Sequence, residues 1–191
     1  MTDSAGMGRR MKIWHLNFEV DKYDNLVPVK EFSVEEIWAF DGRKLEKSWK
    51  PLPVKRMEPQ KKRRLSDAPG FTIPVFSIEA LSVLRPLMQG EVEELELLFD
   101  EHEYYGINVI TVLDVIDYDK AKYIKYSDGH GIILFTEYAF RPGSDVGNHH
   151  IFKIIDEPRR GVFVSDQFRE TVERHKLTGF KFRLAWDSDR I

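Results

Sequence analysis

Cysteine is missing altogether from the 191 residues, which excludes a disulfide framework, thiolate metal sites and a thiol nucleophile. Long apolar runs are missing too. The longest, such as Ile107 to Val112 and Gly131 to Phe135, are strand-sized, far below the ~20 residues that cross a bilayer as a helix. No membrane span is expected, and no apolar run of signal-peptide length follows the first ten residues, so no secretory signal is expected either. Nor does one sign of charge dominate. A formal net charge of -3 with 32% charged residues leaves no overall field to steer the chain onto nucleic acid or an anionic membrane, so a polar partner must meet a local patch. Gly-rich phosphate fingerprints are absent as well: Gly143, Gly147 and Gly161 lack the spacing of a nucleotide-binding loop.

What is present suffices for a packed core, since 42% of the residues are hydrophobic and 13% aromatic. Residues 1–10 are read as a disordered tail or cloning remnant, 11–46 as an N-terminal lobe, 47–70 as a proline-rich basic loop or linker, and 71–191 as the main domain. Strands are expected at Met11 to Val20, at Leu26 to Val29 as an edge limited by Pro28, and at Val54 to Met57. More follow at Val92 to Leu98, Tyr104 to Val112, Tyr123 to Tyr126 with Ile132 to Thr136 as a hairpin, Ile151 to Ile155, and Phe180 to Trp186. Serines mark the helix starts: Ser33 with Glu36 as a capping box, Ser77 ahead of a helix to about Gln89 interrupted by Pro86, and Ser165 ahead of a helix to about His175. Runs of strands with isolated helices predict an α+β protein with an antiparallel or mixed sheet, a C-terminal helix and a closing strand. No internal repeat is visible.

The case for catalysis is thin, and no catalytic residue, metal site or cofactor is assigned. His149 and His150 are adjacent, so on a strand their imidazoles point to opposite faces and do not chelate one ion. Asp114, Asp117 and Asp119 lack the glycine and terminal glutamate of a calcium loop and read as a solvated turn. Asp128-Gly129-His130-Gly131 reads as a hairpin turn, and neither Ser66 nor Ser165 sits in a nucleophile elbow.

Two charged patches carry more information. Lys50, Lys55, Arg56 and the run Lys61 to Arg64 face the single acid Glu58; a solvated loop is the simpler reading, and nucleic-acid binding through 61–64 is the alternative. Conversely, Glu91, Glu93, Glu94, Glu96, Asp100, Glu101 and Glu103 place seven acids in thirteen residues with no lysine or arginine. A solvated strand face accounts for that run most simply; a concentrated acidic surface also steers protein association.

The C-terminal quarter contains His150-Ile151-Phe152-Lys153, Gly161-Val162-Phe163-Val164-Ser165-Asp166-Gln167-Phe168, and Leu177-Thr178-Gly179-Phe180-Lys181-Phe182 running to Trp186-Asp187. This resembles the bacterial immunity protein family eleven, most strongly from Tyr104 to Asp187, with Met11 to Val29 also similar. The resemblance implies a non-enzymatic cytoplasmic protein that binds and neutralises a cognate polymorphic toxin, with the motif residues serving as scaffold. On that basis the acidic run, with Tyr104 and Tyr105 beside it, is the expected toxin-binding surface.

Overall fold

The computed structural model describes residues 10–190. The tail reading therefore lies outside the described residues except at Arg10, whose guanidinium reaches Asp187 (3.3 Å) and Asp189 (3.0 Å). The fold is α+β. A first sheet orders β12 (Phe180–Asp187), β1 (Lys12–Phe18), β11 (Phe163–Ser165), β10 (Ile151–Ile154) and β7 (Val112–Leu113), antiparallel except for β10 with β7. A second orders β2 (Leu26–Pro28), β3 (Leu52–Arg56), β5 (Val92–Leu98), β6 (Tyr104–Val109) and β4 (Val75–Ser77), antiparallel except for β3 with β5. A separate hairpin pairs β8 (Lys122–Lys125) with β9 (Ile132–Glu137). The helices are α1 (Val34–Trp38), α2 (Ile78–Met88) and α3 (Asp166–Arg174).

Alternation along β1 sends Trp14, Leu16 and Phe18 to one side, where they pack with Leu81, Leu84, Phe168 and Val172 of α2 and α3. Ile13 goes to the other, against Phe140, Phe152 and Phe163. The first sheet is thus covered on both faces, and all four residues of β10 are buried, as expected of a strand without a wet side. A third cluster, including Leu26, Phe40, Val54, Leu95 and Leu97, fills one face of the second sheet.

The sequence shows no repeat, but the topology does. β4 leads directly into α2 and then β5, with β4 and β5 flanking the antiparallel β6. In the same way β11 leads into α3 and β12, which flank the antiparallel β1. Each unit is a split β-α-β. In both, the strand ends on a serine whose hydroxyl accepts an amide three residues on: Ser77 from Ala80 and Ser165 from Phe168, both at 3.1 Å. The two helices pack on each other. Only the cap serine and a glycine before the second strand, Gly90 and Gly179, both at positive φ, recur in the sequence, which is why composition and periodicity miss it.

The proline-rich stretch is more structured than its composition implies. It supplies β3 over Leu52–Arg56, shifted from the expected Val54 to Met57, and packs Trp49 and Leu65 against the third cluster. The expected strand from Tyr104 to Val112 divides at Ile110-Thr111, so that β6 and β7 enter different sheets.

Candidate functional site

The acidic run extends from the turn before β5 through β5 and the turn into β6, and its residues meet different fates. Glu91 and Glu93 are each 8% exposed. One Glu91 oxygen accepts the amides of His150 (3.1 Å) and Ile151 (2.9 Å), and the other meets His149 Nδ1 at 2.7 Å. Glu93 accepts the amides of Leu45 (2.6 Å) and Glu46 (3.3 Å) and the side-chain amide of Asn108 (2.8 Å). Both carboxylates close backbone donors that would otherwise be orphaned inside the protein. Tyr104 is buried and donates to the Ser66 carbonyl (2.8 Å); burial pushes its phenol pKa upward. These three residues, expected on the binding surface, are taken off it by their structural hydrogen bonds.

The remaining six stay accessible. Because β5 alternates, Glu94, Glu96 and Leu98 point away from the buried Leu95 and Leu97. Glu96 lies in register with Tyr105, whose hydroxyl donates to Glu103 (2.6 Å). Glu94 holds Arg85 through two oxygens. Glu101 is engaged by Arg56, which lowers its pKa, and Asp100 is exposed. The same outward side continues onto β3 and β2 through Pro53, paired with Leu98, and Lys55, paired with Val27.

Helix α2 covers only one end of this face, over Phe76, Ile107 and Val109. The other end is open: Leu98 and Val29 are 47% and 56% exposed, and Glu96, Pro53 and Lys55 are also exposed. The result is a sheet face with an apolar strip, an acidic column and one tyrosine. Val29, Pro53 and Leu98 were not singled out in the sequence, and Lys55 was counted there with the basic loop. One signal was available, the doublet Leu97-Leu98, since alternation must turn one of the two leucines outward.

The other candidates are drawn apart. His149 Nδ1 and Nε2 lie against Glu91 and Asp145, whereas His150 Nδ1 meets Ser165 Oγ at 2.8 Å. Asp114 pairs with Arg141, while Asp117 accepts the Asp119 amide and faces Lys120. Asp128 accepts the His130 amide within the hairpin turn. Among the described residues no group of three or more such side chains is gathered as metal ligands. In the basic loop, Lys61 and Arg63 both face Glu58 (2.5 and 3.6 Å), Arg64 lies over the Tyr23 ring, and Arg56 bridges Asp24 and Glu101. Three of the seven cations, Arg56, Lys61 and Arg63, are thus answered by carboxylates within the molecule.

The scaffold motif is built as a unit. Thr178 donates its amide and hydroxyl to Asp67 (2.7 and 2.6 Å). Gly179, at φ +87°, packs so tightly that a Cβ would come within 2.2 Å of Ser66 Oγ and 2.5 Å of the Ala68 carbonyl. Residues 98–187 match the immunity protein family Imm11. The Imm11 segment begins in β5 and ends at the last residue of β12, taking in both the motif and the hairpin. Its match bears out the resemblance carried by the C-terminal residues and implies a role in toxin immunity. No curated protein matches the chain. The strand β1, which lies between β11 and β12 in the first sheet, is outside the Imm11 segment, as are β3 and most of β5 in the second.

Proposed function

We propose that this chain neutralises a cognate bacterial polymorphic toxin by stoichiometric binding in the cytoplasm, without turnover or a cofactor, and that the open face of the second sheet makes the contact. The observation that carries the reading is the face itself: Glu96 and Glu103 form an acidic column beside Tyr105 and the exposed Leu98, with Glu94 already held by Arg85 at the helix-covered end, on a β-scaffold within and beside the Imm11 segment. An acidic column suits the basic cleft of a nucleic-acid-degrading toxin, and an aromatic with a leucine supplies the apolar centre that tight interfaces need. A specific complex of this kind buries about 1,200 to 2,000 Å² in total.

The test is co-expression with the protein encoded immediately upstream. Restored growth together with co-purification of a one-to-one complex is expected. Continued toxicity with both proteins soluble would overturn the reading. A Glu96→Arg and Tyr105→Ala double variant should keep the fold and weaken binding at least tenfold.

A further inference from the structure

The two split β-α-β units differ in what flanks the strand after the helix. On β5 the outer side is taken by β3, through Leu52 with Leu97 and Pro53 with Leu98. The equivalent strand β12 ends its sheet, and among the described residues no strand pairs with its outer side. The other edges of the two five-stranded sheets are short, two residues for β7 and three each for β2 and β4, and the separate hairpin strands β8 and β9 have four and six, whereas β12 has eight. Short edges are a common protection against unwanted pairing, and β12 has none of that protection.

Its backbone polarity can be assigned. The Glu19 amide donates to the Gly179 carbonyl at 2.8 Å, and the register runs unbroken from Phe18 with Phe180 to Trp14 with Leu184. Antiparallel pairs alternate, so Lys181 and Arg183 aim their N–H and C=O at β1, while Phe180, Phe182 and Leu184 aim theirs outward. The side chains alternate as well. Phe182 and Leu184 lie half-buried, with Phe182 packed in the helix-side cluster. Lys181 and Arg183 are exposed on the opposite side and have no carboxylate within 4.0 Å among the described residues. Beside the last four residues of β12 lies a groove of about 450 Å³, whose lining includes Tyr138, Phe140, Leu184 and Trp186. Its two carboxylates, Glu137 and Asp187, are already held by Lys122 and Arg10.

We propose that the outer edge of β12 accepts an extended segment of a partner protein in which acidic and apolar residues alternate. The unpaired amides and carbonyls of Phe182 and Leu184 supply the main-chain bonds of an added strand. Acidic side chains on the segment meet Lys181 and Arg183 as cross-strand neighbours, and apolar ones continue the row of Phe182 and Leu184. This surface shares no residue with the open face of the second sheet.

The probe is a blocked seven-residue peptide alternating glutamate with valine, added to the isotope-labelled full-length chain and followed by amide spectra and hydrogen exchange. Exchange at Phe182 and Leu184 should slow at least tenfold on binding, and a peptide with lysine for glutamate should bind at least tenfold more weakly. A Lys181→Glu, Arg183→Glu variant should invert that preference; if it fails to fold, the single Arg183→Gln should reduce affinity for the glutamate peptide several-fold. No binding at millimolar peptide, equal binding of both peptides, protection confined to other strands, or a β12-to-β12 dimer of the free chain would each overturn the proposal.

Discussion

His149 sits between two carboxylates, with Nδ1 at 2.7 Å from Glu91 and Nε2 at 3.1 Å from Asp145. Partial burial works against its charge, but the hydrogen bonds and negative charges of Asp145 and Glu91 outweigh that and raise its pKa. A raised value in the folded state means that the imidazolium stabilises fully below the ordinary histidine pKa, and that this contribution is lost as pH climbs through the folded value. The stability difference between the native chain and a His149→Gln variant should therefore shrink from pH 6 to pH 9 in urea titrations. His15 behaves in the opposite sense. It is 7% exposed, packs at a tilt against Phe163, and leaves Nε2 without a partner among the described residues; burial, with a further push from Arg183, lowers its pKa to about 4. Between pH 6.5 and 4 the unfolded chain binds the proton and the folded chain resists it, so folding weakens as pH falls through that window, by about 3 kcal/mol at its end. A His15→Phe variant should lose that much less stability than the native chain over the same range, and an equal loss would show that the ring is solvated.

The caps of α1, α2 and α3 were readable from Ser33, Ser77 and Ser165 because capping is a local contest for amides, decided within four residues. Even Pro86, expected to kink or end its helix, is accommodated inside the last turn of α2. Strand existence was mostly readable as well. Strand partnership was not: nothing in Leu52–Arg56 announces that Leu52 and Pro53 will pair with β5 while Lys55 and Arg56 pair with β2, since β-propensity reports a half-buried surface and not a neighbour. Which members of the acidic run are buried was not readable in sequence for a related reason. Glu93 and Glu94 look alike in a list of acids, and only the pleat, together with the distant amides of Leu45 and Ile151, separates buried from open carboxylates. Gly179 joins α3 to β12, and its environment gives a sharp test of this junction. A Gly179→Ala change adds a methyl against Ser66 and the Ala68 carbonyl at a positive φ, and should cost at least about 2 kcal/mol in chemical unfolding. A near-neutral result would mean that Ser66 moves aside freely.

Both sheets depend on strands that are remote in sequence. β11 and β12 do not pair with each other; each pairs with β1, and β6 in turn pairs with β5 and β4. The segment that carries the Imm11 pattern thus contains the helix and both flanking strands of one split unit, but neither its central strand nor the helix α2 on which α3 packs. Without β1, Phe163, Val164, Phe180 and Phe182 would expose their apolar faces and the backbone of two strands at once, a loss that α3 alone cannot offset, because a nine-residue helix is marginal without tertiary packing. Expressed alone, residues 98–191 should therefore be unfolded or aggregated, with collapsed amide dispersion in NMR spectra, while residues 10–190 should retain the dispersion of the full chain. Supplying residues 10–97 in trans should restore part of that order, since β1 carries its own pairing information in Trp14, Leu16 and Phe18. A well-folded 98–191 fragment would mean that another segment can take the place of β1, and that the two split units are not the organising feature of the molecule.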